Sequence, residues 1–344
     1  MGSRYLAAAL LAAASAFFFP GAAAQAWDRH DLITRVVLRG APWLDVHRNL
    51  GVLPASGSEC VKCDKEPYNP DYIPVFIDRL PGEKTTAREV LVRYVDEPDW
   101  GMDEAVSVSL FQALAGGSKG YRHQLYHYAP VVRVGDAPKR VEHFYGLAIE
   151  AYKDGDKYWA FRHLARALHY LQDMGQPLHT RPFLYKWLRR TRVDPERTQI
   201  LAANLHFGYE RLVTHMLREE MRRDRGPLLS ALRNPPKMKF SEAVPGLTTP
   251  AHTAAWALAE YSSHRAPDLL ADLDSFFPKR IKSTRQKVVP TPAELSPRRN
   301  PGRHDAILAS TIRSFGVTAG AMLSVLEMAK RDFAAADKAR LADD

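Results

Sequence analysis

The chain has 344 residues, 46% of them hydrophobic and 25% charged, with a formal charge of +9. That balance excludes a disordered or collagen-like polymer and leaves room for one large domain or two small ones. Its two cysteines, Cys60 and Cys63, are too few for a four-thiolate zinc site.

Residues 1–26 read as a secretory leader. Arg4 supplies a basic start, Leu6 to Phe19 is an apolar run, and Ala24-Gln25-Ala26 is a small-residue cleavage signal. The stretch is too short and wrongly flanked for a membrane span. Cleavage after Ala26 would make Trp27 the first residue, lower the charge from +9 to +8 by removing Arg4, and place the protein in the periplasm or outside the cell. Export also favours a local disulfide between Cys60 and Cys63 over a cytosolic redox motif.

A helical period of 3.6 recurs along the rest of the chain. It predicts helices over Asp28–Leu38, over Thr86–Val95, and from Pro138 through Val141, Phe144, Ala148 and Tyr152. A further helix starts near Asp156, carries Phe161, Leu164, Leu168 and Leu171, and stops at Pro177. Asp194–Arg223, Ala251–Leu273 and His304–Ala335 complete the set; Arg313 argues against a membrane span in the last. Only Val131–Val134 reads as extended. The stretches 40–80, 96–136, 180–194, 224–248 and 277–302 read as long loops, which in a compact domain carry function. The expected fold is all-α, one domain over residues 27–344.

The basic excess gathers in Lys186–Arg192, Arg218–Arg225 and Lys279–Arg303. Such runs suit phosphate esters, nucleic acid or an anionic membrane surface, or else simply a solvated face.

The chemistry concentrates in His169-Tyr-Leu-Gln-Asp173-Met-Gly-Gln-Pro-Leu-His179. His169 and Asp173, four apart on one helix, differ by only about 40° around the axis and about 6 Å along it, so one ion can reach both. That face opposes the leucine stripe. Pro177 turns the chain so that His179 can return to the same place. His206 and Glu210 repeat the four-residue spacing downstream. Imidazole nitrogen and carboxylate oxygen without thiolate suit zinc. A lone pair of this kind is commonly a surface hydrogen bond; two pairs plus a third histidine are the stronger signal.

The 169–179 stretch resembles the signature of the zinc-dependent phospholipase C and S1/P1 nuclease superfamily. That resemblance implies a mature chain beginning with Trp27, whose amino group and carbonyl bind metal, followed by His30. A free α-amino group has a pKa near 7.7–8.0 and yields its proton to a metal readily. The resemblance further implies an Asp and a His before the 169–179 motif. Asp99 and His123 match best, with Asp96 and His127 as competitors. Three zinc ions are implied: one held by Asp99, His123, His169 and Asp173; one by His179, His206 and Glu210; one by Trp27, His30 and the bridging Asp173. Asp99, or Asp96 in its place, is by analogy the general base. The chain departs from the family at Gln172, where Gly is usual, and in the 26 residues between His179 and His206.

The expected activity is hydrolysis of a phosphodiester. Glu210 and Tyr170 lean toward a phospholipase, because nucleases of the family usually carry Asp and Phe there. A single-strand nuclease or 3′-nucleotidase is the alternative, since Trp100, Tyr121 and Tyr128 could stack bases. Expected partners are therefore a phospholipid or other phosphodiester, with nucleic acid and peripheral membrane contact as further options and no transmembrane span. A third reading is a non-catalytic zinc-binding envelope protein. Three protein ligands at His179, His206 and Glu210 speak against it, because structural zinc sites are closed.

Overall fold

The computed structural model describes residues 29–53, 82–100, 102–103, 117–129, 132–182, 191, 194–238 and 249–343. The leader, Trp27, Cys60, Cys63 and almost all of the Lys186–Arg192 run lie outside them.

Among the described residues there are ten α-helices and two short antiparallel ribbons, so the fold is all-α. In chain order the helices are α1 (His30–Val37), α2 (Ala87–Tyr94), α3 (Gly117–His123), α4 (Ala137–Lys153), α5 (Lys157–Met174), α6 (Pro195–Arg223), α7 (Pro227–Arg233), α8 (Pro250–Ser263), α9 (Ala266–Phe276) and α10 (Pro301–Asp343). Strand β1 (Leu50–Gly51) pairs with β2 (Lys84–Thr85), and β3 (Tyr126–Ala129) with β4 (Val132–Val134).

Local signals explain most boundaries. α2 opens with a capping box: Thr86 accepts from the Glu89 amide and the Glu89 carboxylate accepts from that of Thr86. Asp156 and Asp194 cap α5 and α6 from one side only, accepting from the Trp159 and Arg197 amides. α6 runs unbroken for 29 residues and stops at Asp224, whose φ of 50° is left-handed.

Three expectations need correction. The helix expected over Ala251–Leu273 is two helices, α8 and α9, broken at His264 and Arg265. Pro267 explains the break: it has no N–H to continue α8, but fits the first turn of a new helix. The loops expected over 96–136 and 224–248 contain α3, the β3–β4 hairpin and α7; α3 and α7 are only seven residues each, too short for periodicity to register. Third, α5 ends at Met174 rather than at Pro177. Gly175 follows, where a Cβ would lie 1.9 Å from Thr318 Oγ1 on α10, so the chain turns where only glycine allows the approach.

α5 is the central element. From Tyr158 to Met174 every residue is buried, so it has no solvated face. It packs most extensively on α4 and also on α2, α8 and α10. Leu164, Leu168 and Leu171 join one continuous apolar core, which also takes in Val36, Leu91, Phe144, Leu205, Leu258 and Met322. The other side is a buried polar stripe, Arg162, Arg166, His169 and Asp173, spaced i, i+4, i+7 and i+11. α10 has the length and apolarity to cross a bilayer, yet 67% of its most apolar window is buried inside the protein, as in a core helix.

The middle of the basic stretch after α9 is tied to α6. Buried Asn204 on α6 donates to the carbonyls of Ser283 and Gln286 and accepts from the Val288 amide. Arg285 and Lys287 stay exposed on that strap.

Candidate metal centre

The polar stripe of α5 meets three other elements. Val95 follows α2 directly, and its carbonyl accepts from His169 Nδ1 at 2.7 Å. Next comes the 3-10 turn Glu97–Asp99. Buried Glu97 grips Arg162 and Arg166 of α5, with Arg162 Nη2 at 2.5 Å and Arg166 Nε at 2.9 Å. Arg162 stacks on Tyr94 and Trp159, its guanidinium 4.1 and 4.5 Å from their ring centres. Burial raises the Glu97 carboxyl, but the two guanidiniums outweigh this and hold it far below the usual range. The clamp fixes the turn that carries Asp99 against His169.

His123 ends α3 and is fully buried. Its Nε2 faces Asp103 Oδ2 at 3.0 Å, and its Nδ1 is turned to Asp173 Oδ2 at 2.9 Å and to His169 Nε2 at 3.0 Å. Asp103 is itself held by Arg122 and Tyr170. His30, on the first turn of α1, places Nε2 3.7 Å from Asp99 Oδ2 and 3.6 Å from Asp173 Oδ1. Lys119 on α3 donates to the Asp99 carbonyl at 2.6 Å and stands 3.4 Å from its carboxylate.

A second group lies beyond the end of α5. Gln176 accepts from the Leu178 amide, which sets the turn Pro177–His179. His179 Nδ1 lies 2.8 Å from the His123 carbonyl, and its Nε2 is 3.2 Å from His206 Nε2. His206 and Glu210 face each other on α6 at 2.7 Å. Gln176 donates to Glu210 at 3.2 Å.

Among the described residues, three groups of side chains could each hold an ion: His30, Asp99 and His169; His123, His169 and Asp173; His179, His206 and Glu210. Asp173 lies between them, with Oδ2 toward His123 and His169 and Oδ1 toward His30 and His179. The electrostatics ask for a cation. Burial lowers His30 to about 3, with a further push from His123, and carries His169 and His179 down as well, so these rings are uncharged. His123 goes the other way: burial lowers it, but Asp103, Asp173 and Asp99 together raise it to about 9. Burial raises Asp99 and Asp173, despite His123 and, for Asp99, Lys119. His30 Nε2, Asp99 Oδ1 and Asp173 Oδ1 are buried without a hydrogen-bond partner, which carboxylates and imidazoles tolerate when they ligate metal.

The ring nitrogens repeat one pattern. His169 and His179 each spend Nδ1 on a backbone carbonyl, which must accept a proton, so each directs an Nε2 lone pair inward. Metal-bound histidines are held in this way by outer partners. The donors are nitrogen and oxygen only, the set that suits zinc and its neighbours in the first transition row.

Of the expected ligands, the structure thus gathers His30, Asp99, His123, His169, Asp173, His179, His206 and Glu210; Trp27 is outside the described residues. The competitors sit elsewhere. Asp96 accepts from the Asp31 amide and lines a neighbouring cleft of about 820 Å³; burial, with Asp31 and Asp99, raises it to about 8. His127 turns to Glu260 at 3.5 Å. Of the expected stacking aromatics, Trp100 is 51% exposed beside Asp99, Tyr121 is half-buried, and the Tyr128 side chain is outside the description. Sequence reasoning missed Glu97, Asp103, Lys119, Arg162 and Arg166. The i, i+4, i+7, i+11 stripe on α5 was the one available signal.

No protein-family model matches the chain, and no curated protein matches it.

Proposed function

We propose that this protein is an exported, zinc-dependent phosphodiester hydrolase acting first on phospholipids. The observation that supports it most is the convergence of eight buried His, Asp and Glu side chains that form three groups able to hold an ion. Zinc bound there would lower the pKa of coordinated water toward 7 and polarise a phosphoryl oxygen. The chain's own part is to hold the His30, His169 and His179 rings neutral and oriented, and to keep Asp173 between the three groups. Asp99, beside exposed Trp100 and with Lys119 fixing its backbone, would take a proton from water. His179, His206 and Glu210 contribute only three ligands, which favours an open, catalytic position over a closed structural one. The exposed cations Arg285 and Lys287 suit an anionic substrate. Glu210 and Tyr170 favour phospholipid.

One observation favours nucleic acid instead: the exposed indole of Trp100 offers a face for base stacking. The test is to purify the chain beginning at Trp27, count its metal by elemental analysis, and assay it on phosphatidylcholine and on single-stranded DNA. About three zinc ions and chelator-sensitive release of phosphocholine are expected, with Asp99→Asn folded and nearly inactive. Nucleotide release would transfer the protein to the nuclease reading, and a metal-free, inert protein would end both.

A further inference from the structure

The histidines of the first two groups are oriented by unequal partners. His169 leans on a backbone carbonyl and His123 faces the buried carboxylate of Asp103. His30 alone relies on a side-chain amide. Gln172, fully buried on α5, places Oε1 3.2 Å from His30 Nδ1. Its Nε2 donates to Thr34 Oγ1 at 2.9 Å. Thr34 is one turn beyond His30 on α1 and equally buried, so Thr34, Gln172 and His30 form a closed bridge between α1 and α5.

The amide has two ends of opposite character. With Nε2 committed to Thr34, the oxygen faces His30, so Nδ1 carries the ring proton. His30 Nε2 is then a lone pair aimed at Asp99 and Asp173. The flipped amide would put the proton on Nε2, yet the carboxylate oxygens at 3.6 and 3.7 Å are too far to accept it well. We propose that Gln172 is a positioning residue: anchored by Thr34, it selects the His30 tautomer and thereby builds the ion position formed by His30, Asp99 and His169, beside Asp173. This rests on the metal reading of the site. It adds that this position depends on a neutral amide, and so is the one most easily emptied.

The test uses the full mature chain and four forms: wild type, Gln172→Met, Gln172→Glu and Thr34→Val. Ions per chain are counted after dialysis, chelator competition gives the affinity of the weakest ion, and nitrogen-15 spectra of the histidine rings report the tautomer. Gln172→Met should lose about one ion, or hold it ten- to a hundredfold more weakly, while the other ions remain. Thr34→Val should weaken the same ion by less. Gln172→Glu, which can only accept at His30, should keep the wild-type count and the Nδ1–H signal. A Gln172→Met protein with an unchanged count and chelator midpoint overturns the inference, as does a Gln172→Glu protein that loses the ion equally. Wild type without metal would instead defeat the underlying metal reading, so the two failures are separable.

Discussion

The two ends of the polar cluster are built differently. At the α1 end, His30, Asp99, His123, His169 and Asp173 come from four separate elements and share ligands, with His169 belonging to two of the three groups. Beyond α5, His179, His206 and Glu210 form a triplet on one turn and one helix that shares no member with the other two groups and meets them only through Asp173 and the His123 carbonyl. The first end is redundant and depends on long-range packing; the second is sparse and depends on helix geometry. Damage should therefore spread at the first end and stay local at the second.

The sharpest way to break the comparison is to remove one shared and one unshared ligand. On the proposed function, His169→Ala should empty two positions and lower phosphodiesterase activity by at least about a hundredfold, beyond what loss of an outer partner costs. Glu210→Gln should empty one position and leave the remainder of the metal count intact. Equal losses from the two variants, by elemental analysis, would show that the ends are not independent.

The clamp behind the first end gives the next largest effect. Glu97→Gln leaves two buried guanidiniums facing a neutral amide, and breaking a buried pair costs about 3–5 kcal/mol. The unfolded Glu97 has the ordinary pKa of 4.5 and the folded one lies far below it. Its contribution is thus complete above pH 4.5 and fades as the pH falls below that value. Thermal melts should show a large gap between wild type and Glu97→Gln at pH 7, narrowing toward pH 3. A gap independent of pH would remove the clamp from the account.

Gly175→Ala probes the joint between the two ends. The added Cβ would press on Thr318 Oγ1 at 1.9 Å and its Cβ at 2.9 Å, and β-branched Thr318 has little freedom to yield. A loss of about 1–3 kcal/mol is expected from overpacking. Metal loss should be confined to the His179 triplet, whose turn begins at this glycine. Emptying of the first end would mean that the joint serves both.

Much of this arrangement was legible beforehand, and the misses share a cause. Asp156, Thr86 and Pro138 marked helix starts because caps and first-turn prolines act within a few residues. The α8–α9 break was signalled by Pro267, which the apolar period across Ala251–Leu273 concealed. Glu97, Arg162 and Arg166 look like ordinary surface charges in the sequence, since a charged side chain is seldom buried unless paired. Only their mutual pairing reveals them as core.

By itself the sequence determined the pairs His169/Asp173 and His206/Glu210, because the helix places residues four apart side by side whatever surrounds them. It determined the all-α architecture for the same reason, through the 3.6-residue period. The tertiary structure decided that Asp99 and not Asp96 faces the histidines, that His123 and not His127 turns inward, and that Gln172 reaches His30. Asp96 and Asp99 lie in a turn with no repeating geometry, and although His123 and Gln172 sit on helices, helical spacing does not say which distant element each will meet. Their direction is set by what they pack against: a buried carboxylate gripped by two arginines, a histidine held by Asp103, and an amide held by Thr34.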